Sequence, residues 1–198
     1  MAPESVDSEA VIRIACEKRD LEGATGLALK RFGPEILGFL VSLTKDHEQA
    51  QEAYSLFCET LWQGLQRFEW QCTLRTWAYL LARHAVTDLH RAEARRKRGR
   101  ADFSSASVAE IAELVRSQTI SLLRTESRNE FAKLRDELDV DERALLVLRV
   151  DRNMPWLDVA RVLGNEGAEH AAEAARLRKR FQLLKERLYE MGKARGFV

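Results

Sequence analysis

The chain has 198 residues, with 32 basic against 31 acidic side chains, a formal net charge of +1, 45% hydrophobic residues, 3 prolines and 10 glycines. Ala, Glu, Lys, Leu and Arg supply about half of it, the profile of an all-helical protein rather than a disordered one. No apolar run nears the roughly 18 residues of a membrane span, and no basic stretch leads into an apolar run at the N-terminus. Cys16, Cys58 and Cys72 lack CxxC or Cys/His ligand spacing, which argues against a disulfide framework or a structural zinc and for a reducing cytoplasm.

In chain order, Ser8 or an earlier residue opens a first helix carrying Val11, Ile12, Ile14 and Ala15. Asp20 is placed to cap a second, short helix ending near Gly33. Pro34 suits the first position of a third, with Ile36, Leu37, Leu40, Val41 and Leu43 as its buried side. The next helix runs from about His47 to Gln66. Ala50, Ala53, Tyr54, Phe57, Leu61 and Leu65 form its inward stripe, with Gln51, Glu52, Ser55, Glu59 and Gln63 outside it. A short aromatic connection, Phe68 to Thr73, leads into a helix of about residues 74–95. Leu74, Trp77, Ala78, Leu81, Ala85 and Leu89 point inward there, and Thr76, Tyr79, Arg83, Thr87 and His90 outward, with Arg91 at the edge.

From Gly99 to Ser107 the apolar period fails, as in a linker. Ser107 and Glu110 have capping-box spacing for a helix reaching about Thr119, and another amphipathic segment covers residues 120–138. Asp139 and Glu142 form a second such box, before a helix bearing Ala144, Leu145, Leu148 and Val150. Asn153-Met154-Pro155 breaks that helix. A short one comes next with Trp156, Val159, Ala160 and Leu163 inward, and Gly164 supplies a left-handed stop. The last helix buries Leu177, Phe181, Leu184 and Leu188 and places Arg178, Gln182 and Lys185 on another face. Helix, break, short helix and basic amphipathic helix is the order of a helix-turn-helix.

The near-zero net charge hides a segregated distribution. Residues 83–100 hold seven basic side chains against Asp88 and Glu93, and residues 176–195 hold eight against Glu186 and Glu190. Upstream of both, in the helix around residues 46–59, Asp46, Glu48, Glu52 and Glu59 face no base. One charge run reads as a solvated helix face, but two basic patches on opposite halves of a neutral chain point to nucleic acid. Catalysis has little support. His84 and Asp88 have the i, i+4 spacing of half a metal site, yet there is no third ligand at useful spacing, no HExxH and no glycine-rich phosphate loop. No cofactor is expected.

These segments, in this order, resemble the extracytoplasmic-function sigma factors, small two-domain promoter-specificity subunits of bacterial RNA polymerase. The resemblance runs from about residue 25 to residue 190. Ala50-Gln51-Glu52 through Phe57 to Leu61-Trp62 is similar to the family's polymerase-binding helix. Leu74 to His84, followed by Asp88 and Arg91, is similar to its Trp-Leu … Ala-Arg-Asn … Asp … Arg signature. Leu145 to Arg149 and Val159 to Gly164 resemble its Leu-Leu-x-Leu-Arg and Glu-Ile-Ala-x-x-Leu-Gly. This sequence departs from the family at Ser55-Leu56, where a Gln-Glu pair is frequent, at His84, where Asn is usual, and in a longer turn spanning Asn165 to Ala175. With that insertion the last helix has two possible starts, near Arg176 or earlier near Glu169 with an added alanine-rich turn.

The resemblance implies an all-α fold of two helical domains, 1–98 and 126–198, joined by a partly helical linker at 99–125, with the C-terminal domain a helix-turn-helix. It implies that Gln51, Glu52, Ser55 and Glu59 dock on a coiled coil of the largest subunit of core RNA polymerase. Phe68 and Trp70 would meet an extruded base of the minus-ten element. Arg75, Tyr79, Arg83, Thr87, His90 and Arg91 would hold the same strand, while inward-facing Trp77 packs in the core. In the minus-thirty-five element, Arg176, Arg178, Lys179 and Gln182 are the base-edge candidates, and Arg180 and Lys185 the phosphate ones. Promoter DNA and core polymerase are the implied partners, an anti-sigma protein is a further one the family often uses, and no membrane contact is implied. The rival reading is a stand-alone helix-turn-helix regulator that binds DNA without polymerase.

Overall fold

A computed structural model describes residues 4–93, 106–126, 134–164, 167 and 169–196. Every regular element among them is helical, and the chain divides into two units, Met1–Leu123 and Arg124–Val198.

The first unit is built on α2 (Leu21–Thr44), which packs against α1 (Glu4–Glu17), α3 (His47–Leu65) and α4 (Leu74–Glu93). Leu29, Ile36, Leu37, Phe39 and Leu40 of α2 meet Tyr54, Phe57, Leu61 and Leu65 of α3 and Leu74 and Tyr79 of α4 in a fully buried core. Each large apolar side chain so buried contributes about 1.5–3 kcal/mol. Residues 21–44 form one helix with Pro34 inside it, not two helices meeting at that proline. Apolar side chains on both sides of Pro34 share the same core, and Gly33 has no Cβ to clash with the proline ring. Gly33 also permits a close crossing, since a Cβ there would lie 2.6 Å from Tyr54 Oη and 2.8 Å from Val115 Cγ1. Among the described side chains of α1, Ile12 is the buried one; Val11 and Ile14 are exposed because the helix turns a narrow stripe to α2.

The segment expected as a linker at 99–125 holds α5 (Ala106–Glu126). Its buried Val108, Ala112 and Val115 belong to the first unit, with Ile111 and Val115 lying against Gly26 and Gly33 of α2. Ser107 is inside α5 instead of capping it, and its hydroxyl donates to the Glu22 carboxylate. The residues between α4 and α5 lie outside the described set.

In the second unit, Asp139 and Glu142 close the expected capping box at the start of α6 (Val140–Leu146). The Asp139 carboxylate accepts from Glu142 N–H at 2.7 Å, and the Glu142 carboxylate from Asp139 N–H at 3.1 Å. The helix then widens into a π turn, Val147–Asp151. The extra residue per turn rotates the end of the helix, so Val150 is 53% exposed instead of inward. Pro155 starts α7 (Trp156–Leu163) as its N-cap residue, its carbonyl accepting from Val159 N–H at 2.9 Å. Gly164 is extended (φ −71°, ψ 162°), not left-handed. Glycine is needed there for space, because a Cβ would lie 2.4 Å from the Ala160 carbonyl oxygen. The last helix, α8 (His170–Ala194), takes the earlier of the two expected starts, with Glu169 as its N-cap. Leu184 packs with Leu138 and Leu146, flanked by half-buried Phe181 and Leu188.

Candidate nucleic-acid interface

The first three backbone donors of α4 are all satisfied by side chains. Thr73 Oγ1 accepts from Thr76 N–H at 3.1 Å, the usual N-cap bond. The other two go to a residue far away in sequence: Glu9 of α1 accepts from Leu74 N–H at 3.3 Å and from Arg75 N–H at 3.2 Å. A carboxylate at the positive end of a helix is favourable, and this one ties α1 to the start of α4.

Directly before α4 lies the aromatic connection. Phe68 stacks on Trp77 (centroids 4.6 Å apart, planes at 19°) and meets Trp70 at 4.9 Å. The Arg13 guanidinium of α1 stands 5.4 Å from the Trp70 ring centre. Trp70 has φ +58°, a left-handed backbone rarely adopted by so bulky a residue. Trp77, Phe68, Trp70 and Arg13 thus form one column, in which Trp77 and Phe68 are inner members.

Four of the expected strand-binding residues are placed differently from one another. Arg75 makes a bidentate pair with Glu35 of α2, Nε–Oε1 2.9 Å and Nη2–Oε2 2.8 Å. That hydrogen-bonded carboxylate holds its guanidinium pKa above the usual value. Tyr79 is fully buried, with its ring edge-on to Phe39 at 5.1 Å, so its expected outward position is corrected. The extra apolar face of α4, which includes buried Ala82 and Val86, packs Tyr79 inward alongside Thr76. Arg83 is half-buried and Thr87 exposed, with the Thr87 hydroxyl donating to the Arg83 carbonyl at 3.2 Å. The side chains of His90 and Arg91 lie outside the described residues.

On α3, Glu52 and Ser55 are exposed and Gln51 and Glu59 half-buried. Asp46 caps the helix, accepting from Glu48 and Gln49 N–H at 2.7 and 3.2 Å. Gln51 donates to the His47 carbonyl at 3.0 Å, Ser55 to that of Gln51 at 3.1 Å, and Gln63 to Glu59 at 3.0 Å. These bonds remain within the helix and leave its acidic row facing outward.

In the second unit, α8 carries two kinds of base. One flank is engaged with its own unit. Arg176 is bidentate to buried Glu173 (3.0 and 2.5 Å), Arg180 stands 3.5 Å from Asp139 and 3.8 Å from Asp141, and Arg187 bonds Glu142 at 2.9 Å. The other stripe has exposed Arg178, Gln182 and Lys185, with exposed Lys179 beside it. Arg178 lies 5.8 Å from the Trp156 ring centre, which Arg149 also approaches at 5.1 Å, and Lys185 lies 5.5 Å from that of Phe181. Gln182 bonds Glu186 at 3.3 Å.

Sequence reasoning missed Glu9, Arg13 and Glu35 because nothing local marks them; their partners are tens of residues away. Among the described residues no group of three or more His, Cys, Asp or Glu is arranged to hold a metal ion, and no helix is long and apolar enough to cross a membrane.

Residues 28–96 match the family model described as Sigma-70 region 2. They form a sigma-70 region 2 domain. No curated protein and no solved structure matches the chain. The region 2 domain begins within α2, takes in α3, the aromatic connection and α4, and leaves α1 outside its limits. Within the region 2 domain lie Gln51, Glu52, Ser55 and Glu59 together with the whole Phe68–Arg91 set, whereas Glu9 and Arg13 precede it.

Proposed function

We propose that this protein is an RNA polymerase sigma factor of the extracytoplasmic-function type, which binds core polymerase and directs promoter-specific initiation. Sigma-70 region 2 domains bind core RNA polymerase and promoter DNA, and the match over residues 28–96 is the observation that carries the reading. The acidic row of α3 is the surface for the largest-subunit coiled coil, through Gln51, Glu52, Ser55 and Glu59. The aromatic connection and the outer face of α4 receive the minus-ten strand, through Trp70, Arg83 and Thr87, with Phe68 behind Trp70 and His90 and Arg91 farther along the helix. Unstacking a base costs a few kcal/mol, which an aromatic platform and nearby cations return.

In the second unit, α7 and α8 act as a helix-turn-helix on the minus-thirty-five element. Arg178, Lys179, Gln182 and Lys185 form its contact stripe. Arg176 and Arg180 reach DNA only by exchanging the carboxylates they hold. The factor supplies no catalytic residue, because the polymerase carries the chemistry, and it works in the cytoplasm with the polymerase. An anti-sigma protein covering these faces completes the proposed set of partners.

Gel filtration with sigma-free bacterial core polymerase tests the reading. The expected result is a one-to-one complex, weakened by Glu52→Lys with an unchanged circular dichroism spectrum. No complex with folded wild-type protein overturns the reading, and duplex DNA binding in the same preparation then assigns it to stand-alone regulators.

A further inference from the structure

We infer that Arg13 of α1, outside the region 2 domain, is a binding residue for single-stranded nucleic acid and forms the outer surface of the aromatic column. The inference rests on the proposed strand-binding role of the Phe68–Trp70 connection. Three observations carry it. First, the column Trp77, Phe68, Trp70 ends on the Arg13 guanidinium, whose side chain is 57% exposed. A base arriving along this column meets the guanidinium plane backed by an indole, and single-stranded bases stack on arginine planes as they do on aromatic rings.

Second, two of the neighbouring cationic positions are already engaged. The N-terminal amides of α4, a ready site for a phosphate, donate to Glu9 at 3.3 and 3.2 Å. Arg75, the cation closest in sequence to that helix start, is bidentate to Glu35. A strand crossing the connection is therefore left with other cations, Arg13 over the Trp70 ring and exposed Arg67 beside Phe68. Third, Arg13 is held in place. Glu9 lies one helical turn before it on α1 and is bonded to α4, which fixes the register of α1 against the connection. The Arg13–Glu17 ion pair at 3.3 Å is exposed on both sides and yields readily to a phosphate.

Fluorescence anisotropy of the full chain with a labelled single-stranded DNA 12-mer of degenerate sequence, alone and with core polymerase, tests this across a salt series. Arg13→Ala is expected to weaken binding about tenfold, the loss of one stacking partner. It should also flatten the log–log salt slope by about 0.7, the loss of one phosphate contact on a single strand. Arg13→Lys should keep the slope and lose part of the affinity, while Arg19→Ala, the same charge change in the turn after α1, stays within about twofold of wild type. Thermal melts check that each variant is folded. Unchanged binding in Arg13→Ala overturns the inference while leaving the sigma-factor reading intact. Tighter binding also overturns it and makes Arg13 a shield over Trp70. Wild-type protein that forms the polymerase complex but binds no strand in either format overturns it as well. Absence of both the complex and strand binding overturns the function reading beneath it.

Discussion

The Arg75 guanidinium shows how one side chain changes role with its surroundings. In sequence it is a base at the start of a helix beside an aromatic connection. In the fold it clamps Glu35, whose side chain is only 16% exposed. Removing one partner leaves the other charge half-buried without its counter-charge. Arg75→Ala and Glu35→Ala are each expected to cost about 1–3 kcal/mol, and the double variant about as much as either single one. Urea denaturation in a double-mutant cycle measures this. Strictly additive losses would show that the pair contributes nothing of its own.

A second residue-scale prediction concerns Cys58 and Tyr54, both buried between α3 and its neighbours. Burial pushes the Cys58 thiol and the Tyr54 hydroxyl well above their ordinary values. Both groups therefore stay neutral in the folded state at a pH where the unfolded chain loses protons. Their contribution is complete below the ordinary thiol pKa of about 8.5 and declines as pH rises above it. The urea midpoint should fall between roughly pH 8.5 and pH 10.5, and less steeply in Cys58→Ala after allowing for its lower starting stability. With a chromogenic disulfide reagent, half-exposed Cys16 and Cys72 react in the native state, whereas Cys58 reacts only on unfolding.

At the scale of elements, α2 shows packing overruling a local break. A proline inside a helix costs about 3 kcal/mol in isolation. Here Gly33 eases its steric demand, and buried side chains on both sides hold the axis continuous. At Gly33 side chains of both α3 and α5, Tyr54 and Val115, press against α2. Gly33→Ala improves helix propensity by about 1 kcal/mol yet is expected to destabilise the first unit by about 1–3 kcal/mol. Thermal melting of the variant checks the sign, and a raised midpoint would mean the crossing relaxes without cost. The same reasoning explains Gly164, where crowding against Ala160 and Glu173 selects glycine without any left-handed turn.

Elements with strong local signals were legible in advance. The stripes of α3 and α8 and the Asp139–Glu142 box follow from spacing alone, since hydrogen bonds and periodicity within one helix are local. The inward turn of Tyr79 was not legible. A period of 3.6 locates one apolar face, but α4 buries a wider arc because α2 and α3 both pack against it. The π turn at Val147–Asp151 was equally hidden, for one inserted residue leaves no compositional trace.

For the whole molecule, the segregated charge matters more than its sum. The acidic row of α3, the outer face of α4 and the basic stripe of α8 are each presented by a helix whose opposite face is buried. The two units also have separate cores, one around α2 and the other around Leu138, Leu146 and Leu184. Chains covering Met1–Leu123 and Arg124–Val198, produced separately, are each expected to melt cooperatively with a helical circular dichroism spectrum. A non-cooperative profile for the first would show that its core depends on the second.

The helical class, the main amphipathic faces, the acidic and basic patches and the resemblance to sigma factors could all be read from the order of residues. All of these depend on residue type and short-range spacing. Packing settled which cations remain on the surface and which are held by carboxylates, that α5 joins the first unit, and that α1 supplies Glu9 to the start of α4 and Arg13 to the aromatic connection. Apart from the local Arg176–Glu173 pair, those outcomes depend on partners 40 to 85 residues apart, and contacts over such distances exist only once the chain has packed.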